Sequence, residues 1–207
     1  MIKYGLISET DARALEKTID LICNEFGKAE INVTEIGLYN CATANGICDY
    51  LSLKGVHWKY TGIDNEKDKE VNPPLWIKYI KGNSTEVYNQ IEDNSQHLIF
   101  IDGDHSLIGV ISDFYAYAGK VKEGGYLAFH DTGKHIKPFK DFQHGDKDNP
   151  DAYISVRKAL NKIGLFNHPE WELIFDEADE NNEAGGICVF LKKDTNKEYY
   201  ETIMGIQ

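Results

Sequence analysis

The sequence lacks the features that mark several common classes of protein. Its four cysteines form no CxxC pair, so neither a disulfide scaffold nor a zinc knuckle is expected. No apolar run is long enough to cross a bilayer, and the first residues lack the apolar core of a signal peptide. Basic residues are outnumbered by acidic ones, 22 to 34, for a formal charge of −12. Because binders of nucleic acid or anionic membranes need a basic face, we expect a protein that binds neither. The missing membrane span and signal peptide lead us to expect a cytoplasmic protein.

The composition is that of a globular protein with one packed core. Hydrophobic residues make up 42% of the 207 residues and aromatic residues 12%, which excludes global disorder. This length suits a single domain over residues 1–207. An amino-terminal helix is predicted within residues 1–30, because Ser8 and Asp11 resemble a capping box and apolar residues then recur at helical spacing as far as Phe26.

Short buried strands then alternate with helices, which predicts a parallel sheet covered on both faces. Helices are predicted over residues 42–54, 84–91, 107–121 and 152–163. The five alternating strands are predicted over residues 31–36, 58–63, 77–81, 97–101 and 126–129. Two further strands, 171–175 and 186–191, are separated by an acidic loop too short for a crossover helix, so they should be antiparallel neighbours.

Polar clusters follow four of the first five strands, and ligands of such sheets bind beyond the carboxyl ends of the strands. The first cluster has Glu35 and Gly37 but lacks the other glycines of GxGxxG, so a dinucleotide site is disfavoured. Asp64 ends the second strand, where an acid can accept hydrogen bonds from ribose hydroxyls. Together, Gly37 and Asp64 favour a nucleoside ligand.

The remaining two clusters combine carboxylates with imidazoles. They follow the fourth and fifth strands and comprise Asp102, Asp104, His105, His130 and Asp131. Oxygen ligands with an imidazole suit Mg²⁺, Mn²⁺ or Ca²⁺, and the histidines favour Mn²⁺. The alternative is that the acids cap helices and the histidines are satisfied within the core.

Three segments carry a family resemblance: TEIGLYNCAT, FIDGDHS and GGYLAFHDTG. The first resembles a motif of the metal-dependent catechol and caffeoyl-CoA O-methyltransferases. The other two resemble the small O-methyltransferases that act on sugars and macrolides. Nearly the whole chain is similar to the class I S-adenosylmethionine-dependent methyltransferases. The resemblance implies a Rossmann-like α/β fold whose seven-stranded sheet is mostly parallel, with an antiparallel C-terminal strand and helices on both faces.

The resemblance also implies a role for each matching residue. The cofactor-binding positions would be Glu35, Gly37, Tyr39, Asn40, Thr43, Asp64, Asn65, Ser84 and Asp102. The metal ligands would be Asp102, His130 and Asp131. The general base would be His105 by analogy with the catechol-type enzymes, or Asp104 by analogy with the sugar-directed ones.

One position departs from the family pattern. Cys41 stands where the family has a second glycine. We expect Asn40 to take the left-handed backbone conformation that this glycine supplies, because asparagine tolerates it well. Cys41 would then lie in the first helical turn.

The expected activity is methyl transfer from S-adenosylmethionine to a hydroxyl of a small molecule, such as a sugar or another polyhydroxylated metabolite, assisted by Mg²⁺ or Mn²⁺. Residues 133–151 would form a lid over the acceptor, and a homodimer is compatible with these expectations. Two alternatives stay open at this point. One is a nucleoside-binding protein of the same fold that has lost turnover, and the other is a dinucleotide-dependent oxidoreductase.

Overall fold

The computed structural model describes residues 4–5, 7–27, 29–66, 70–133, 139–140, 153–177 and 185–194. The lid predicted at residues 133–151 lies outside them, apart from Gly133 and a two-residue strand. The helices are α1 (Glu9–Phe26), α2 (Ala42–Leu53), α3 (Ser84–Val87), α4 (Leu107–Tyr117) and α5 (Val156–Ile163). The strands are β1 (Ile31–Ile36), β2 (Trp58–Asp64), β3 (Ile77–Lys81), β4 (Gln96–Ile101), β5 (Val121–His130), β6 (Phe139–Lys140), β7 (Tyr153–Ile154), β8 (Trp171–Glu177) and β9 (Ile187–Lys192).

The main sheet has seven strands in the order β3-β2-β1-β4-β5-β9-β8. Strands β1 to β5 are parallel, and β9 runs antiparallel to both of its neighbours, β5 and β8. The predicted Rossmann-like fold is therefore confirmed, and so is the antiparallel pair at the end of the chain. The short strands β6 and β7 form a separate antiparallel pair.

The capping box predicted for α1 is also confirmed. The Ser8 hydroxyl accepts a hydrogen bond from the amide of Asp11, and the Asp11 carboxylate accepts one from the amide of Ser8. Gly27, with a positive φ of 61°, ends the helix. Helix α3 is capped by Asn83, whose side-chain oxygen Oδ1 accepts a hydrogen bond from the Thr85 amide at 3.1 Å.

Helices cover both faces of the sheet and give the molecule two apolar layers. On one face α1 and α2 pack against the sheet, with Leu15 and Ile47 fully buried among the side chains of that layer. On the other face α4 and α5 pack, with Val110 and Leu160 in the second layer. Among the described residues, no helix combines the length and the apolar character that a bilayer crossing requires.

Strands β1, β2, β4 and β5 end at the same edge of the sheet. Ile36 is in register with Ile63 on one side and with Ile101 on the other, and Ile101 is in register with Phe129. The polar segments that follow these strands are therefore neighbours in space. This register positions the site.

Candidate functional site

The site lies where the strand order reverses, between β1 and β4. Helix α2, which follows β1, packs on one face of the sheet, and α4, which follows β4, packs on the other. The two connections diverge and leave a crevice, the usual ligand position in such sheets. Gly37 is required here, because its φ is +90° and a Cβ atom would stand 2.1 Å from the carbonyl oxygen of Asp102.

The β1–α2 loop is held by the carboxylate of Asp64. Oδ2 of Asp64 accepts hydrogen bonds from the amides of Leu38 and Tyr39, each at 2.9 Å, and Oδ1 accepts the Glu66 amide at 2.7 Å. Asp64 is the residue predicted to bind ribose, and both of its carboxylate oxygens already accept hydrogen bonds from backbone amides. A ribose that used them would have to share or replace these bonds.

The left-handed conformation falls on Cys41 and not on Asn40. Cys41 has φ 61° and ψ 16° and caps α2, and Tyr39 also has a positive φ of 47°. The prediction that Asn40 would take this conformation is wrong. The Asn40 side chain instead accepts the amide of Ala42 at 3.1 Å, so the turn is completed one residue later.

Glu35 lies beneath this loop, 1% exposed, and accepts a 2.5 Å hydrogen bond from the Tyr60 hydroxyl. Burial, together with the nearby charges of Asp102 and Asp64, raises the pKa of Glu35 to about 8, although the bond from Tyr60 opposes the shift. Glu35 is therefore a buried, neutral acid near pH 7.

The other predicted cofactor residues differ in their surroundings. Thr43 is buried and donates a hydrogen bond to the carbonyl of Tyr4 at 3.1 Å, which joins α2 to the segment before α1. Ser84 donates a 2.5 Å hydrogen bond to Asp113, whose pKa burial raises to about 7. Tyr39, Asn40 and Asn65 have exposed side chains at the rim of the crevice.

Carboxylates and imidazoles from two connections converge beside Gly37, in what we call the acid–histidine cluster: Asp102, His105, His130 and Asp131. The two nitrogens of His105 lie 3.3 Å from Asp102 Oδ1 and 3.3 Å from Asp131 Oδ2. His130 Nδ1 lies 3.0 Å from Asp102 Oδ1 and 3.6 Å from Asp131 Oδ1. The segments that follow β4 and β5 therefore converge in the structure, as the sequence predicts.

Within this cluster, Asp102, His105 and Asp131 each offer a ligand atom, and these atoms lie within 4.8 Å of one another. The histidine in this group of three is His105, whereas the resemblance implied His130. Asp104, the other candidate base, is exposed, and its carboxylate accepts a hydrogen bond from the Ser106 amide at 2.9 Å, just before α4.

The carboxylates of the acid–histidine cluster favour positive charge, carried either by a proton on an imidazole or by a cation that replaces that proton. Burial alone would lower the pKa of His130, but the charge of Asp102 and its hydrogen bonds outweigh burial and raise that pKa well above the usual value. Burial would raise the pKa of Asp102, but the imidazoles of His130 and His105 outweigh burial and hold that pKa below its ordinary value. Paired carboxylates with imidazole nitrogens are donors that Mg²⁺ and Mn²⁺ accept, so the residues fit a divalent cation.

Sequence reasoning missed one member of this environment. It assigned Asp11 only to helix capping, yet Asp11 Oδ2 lies 3.3 Å from Nε2 of His130. Asp11 is fully buried, and its Oδ1 has no hydrogen-bond partner among the described residues. The two residues are 119 positions apart, so no local motif could reveal the contact.

Comparison with known proteins agrees with this fold. Residues 34–132 match a family whose model is described as a methyltransferase domain. The fold is similar to that of an O-methyltransferase from Bacillus cereus in complex with SAH, at 13% identity and a TM-score of 0.59, over 92% of this chain and 84% of the other. No curated protein sequence matches the chain.

Two further solved structures are similar. The O-methyltransferase TomG from Streptomyces achromogenes, in complex with SAM, shares 13% identity over 91% of this chain and 82% of its own, with a TM-score of 0.60. The methyltransferase MycE, in complex with Mg, SAH and mycinamycin VI, shares 18% identity over 86% of this chain and 49% of its own, with a TM-score of 0.54. At sequence identities this low, the similarity to these three structures establishes the fold of the chain and nothing further.

Proposed function

We propose that this chain, which carries a methyltransferase domain in residues 34–132 on the class I S-adenosylmethionine-dependent fold, transfers a methyl group to a hydroxyl oxygen of a small molecule with the help of a divalent cation. The enzyme class expected from the resemblance is confirmed by the domain match. The acceptor, the cation, the homodimer and the cytoplasmic location stay predictions.

The observation that carries the proposal is the position of the acid–histidine cluster beside the β1–α2 loop. The loop is a strand–glycine–helix turn of the kind that lets a nucleoside approach backbone closely. Asp102 follows β4 and touches this turn, because its amide donates to the carbonyl of Ile36 at 2.9 Å. A methyl donor in the crevice and an acceptor at the cluster would therefore be neighbours.

The residues would divide the chemistry as follows. Asp102 and Asp131, with Nδ1 of His130, which lies 3.0 Å and 3.6 Å from their carboxylate oxygens, would hold the cation, which supplies a Lewis acid that lowers the pKa of the acceptor hydroxyl. His105 would take the proton of that hydroxyl on a ring nitrogen. The acceptor oxygen would then form a bond to the methyl carbon as the carbon–sulfur bond breaks and its electron pair passes to the sulfonium sulfur. The protein mainly has to align oxygen, carbon and sulfur.

The TomG and B. cereus structures hold SAM or SAH, and the MycE structure holds Mg together with SAH. These ligands belong to those proteins, and they support the choice of S-adenosylmethionine and a divalent cation as the first compounds to test with this chain. Mycinamycin VI, which the MycE structure also holds, belongs to that protein and does not identify the acceptor of this chain.

A second candidate function is a nucleoside-binding protein without turnover. Two observations favour it: Cys41 occupies the left-handed position at which the family has glycine, and Asp64 is already engaged by three backbone amides. Both functions predict binding of S-adenosylhomocysteine, but only the first predicts methyl transfer.

The test is release of S-adenosylhomocysteine from S-adenosylmethionine with catechol and sugar acceptors, with Mn²⁺ or Mg²⁺ and with chelator. We expect the wild-type protein to turn over and Asp102→Asn to abolish this turnover. Asp49→Asn is the matched control, because it removes the same charge from an exposed position on α2, and it should leave turnover unchanged. Loss of about 10²–10⁴-fold in His105→Asn, and not in Asp104→Asn, would identify the base. Undiminished turnover in chelator would contradict the role of the cation. Binding without turnover on any acceptor would favour the second function.

A further inference from the structure

Asp11 connects the amino-terminal helix to the acid–histidine cluster. It is the third residue of α1, and its carboxylate meets Nε2 of His130 at 3.3 Å through Oδ2. The same oxygen accepts a hydrogen bond from the Ser8 hydroxyl at 2.8 Å. The side chains of Asp11 and His130 are 1% and 8% exposed, so the contact is shielded from water.

A capping role alone does not explain this burial. In a capping box, the side chain of the third helical residue, here Asp11, only has to lie near the amide of the cap residue. An exposed helix end allows this equally well. Here the carboxylate is fully buried, and Oδ1 has no partner among the described residues. Because a buried carboxylate is unfavourable unless its charge is paired, the burial calls for a second role. His130 supplies it.

The contact determines how His130 faces the other carboxylates. With Nε2 directed at Asp11, Nδ1 is directed at Asp102 Oδ1, 3.0 Å away, and at Asp131 Oδ1, 3.6 Å away. Histidines that bind metals usually donate their other ring N–H to a carboxylate or carbonyl, which selects the tautomer and orients the ring. Asp11 stands in that position.

We infer that Asp11 is a positioning residue, which accepts a hydrogen bond from Nε2 of His130 and thereby presents Nδ1 to the cation held by Asp102 and Asp131. The inference rests on the cation of the proposed function. It makes α1 part of the cation site, although the helix contributes no ligand. Since coupling is reciprocal, bound cation stabilises the docking of α1 as much as α1 favours the cation.

The test measures Mn²⁺ affinity by isothermal titration calorimetry in four proteins: wild type, Asp11→Ala, Asp11→Asn and Glu9→Gln. Glu9 is the matched control, because it is an exposed acid in the first turn of the same helix, with its contact to Arg13 at the surface. Asp11→Ala leaves Nε2 without an acceptor, so Mn²⁺ should bind about 10- to 100-fold more weakly. Asp11→Asn keeps an acceptor oxygen and should lose less. Glu9→Gln should match wild type.

The affinity for S-adenosylhomocysteine, measured on the same samples, separates positioning from damage to the fold. A purely structural role would weaken both ligands together, and such a parallel loss would overturn the inference. Equal Mn²⁺ affinity in Asp11→Ala and wild type would overturn the positioning role of Asp11 without contradicting the cation of the proposed function. A wild-type protein that binds no Mn²⁺ would overturn the inference together with the cation of the proposed function.

Discussion

At the scale of single residues, the backbone of Cys41 shows most clearly how a turn constrains side chains. Left-handed geometry brings a Cβ atom close to the following carbonyl, which costs about 1–2 kcal/mol for residues other than glycine. Cys41 adopts this geometry at φ 61°, while its side chain is 3% exposed in the layer beneath α1 and α2. Burial of the thiol offsets part of that free energy.

This balance predicts an inversion of the usual order of alanine and glycine. Cys41→Gly relieves the strain and Cys41→Ala does not, so the glycine variant should be the more stable of the two by about 1 kcal/mol. At the exposed helical position Asp49, the order should be the usual one, with Asp49→Gly about 1 kcal/mol less stable than Asp49→Ala. Urea unfolding measures both differences. If alanine is the more stable variant at both positions, Cys41 is not strained.

At the scale of elements, Arg157 joins α5 to the end of β8 and to the segment that follows β5. Its Nε donates to the carbonyl of Thr132 at 2.6 Å, and its terminal nitrogens form a two-pronged ion pair with Asp176. Thr132 directly follows Asp131, which has a positive φ of 54°. Arg157 therefore helps to hold the backbone that presents Asp131 to the acid–histidine cluster.

Replacing Arg157 by lysine keeps the charge but loses the planar, forked donor set. We expect Arg157→Lys to lower the free energy of unfolding by about 1.5–3 kcal/mol, the usual contribution of hydrogen bonds that involve charged groups. Lys158→Gln, at the neighbouring exposed position, should change it by less than about 0.5 kcal/mol. Chemical denaturation of both variants tests this, and equal stability of Arg157→Lys and wild type would refute it.

At the scale of the whole molecule, one buried carboxyl makes stability depend on pH. The formal charge is −12, yet Glu35 stays neutral in the folded chain up to about pH 8, against a usual pKa of 4.5. Below pH 4.5 the group is protonated in both states. Between pH 4.5 and about 8 the unfolded chain releases the proton and the folded chain keeps it, so its contribution to stability is lost as the pH rises.

Glu35→Gln removes this proton and keeps an oxygen that can accept from the Tyr60 hydroxyl. The difference in free energy of unfolding between Glu35→Gln and wild type should grow in favour of the variant as the pH rises through that interval. The growth should be up to about 1.4 kcal/mol for each pH unit. Urea unfolding at several pH values between 5 and 8 would measure this slope, with exposed Glu86→Gln as the control. A difference that stays constant with pH would show that Glu35 is ionised in the folded chain.

Much of the fold could be predicted from the sequence because the relevant signals are local. The alternation of buried strands and helices, the Ser8–Asp11 capping box and the short loop before the last strand each depend on neighbouring residues. The convergence of Asp102 with His130 and Asp131 followed from one general rule, since carboxyl ends of parallel strands meet at one edge.

The tertiary structure alone decided which atoms meet at that edge. It placed His105 between Asp102 and Asp131, turned Asp104 towards Ser106 and engaged Asp64 with loop amides. It also brought Asp11 to His130 across 119 positions of the chain. These contacts depend on the rotamers and packing of whole elements, which periodicity does not encode. Sequence by itself determined the edge at which chemistry can occur, and packing determined which side chains share it.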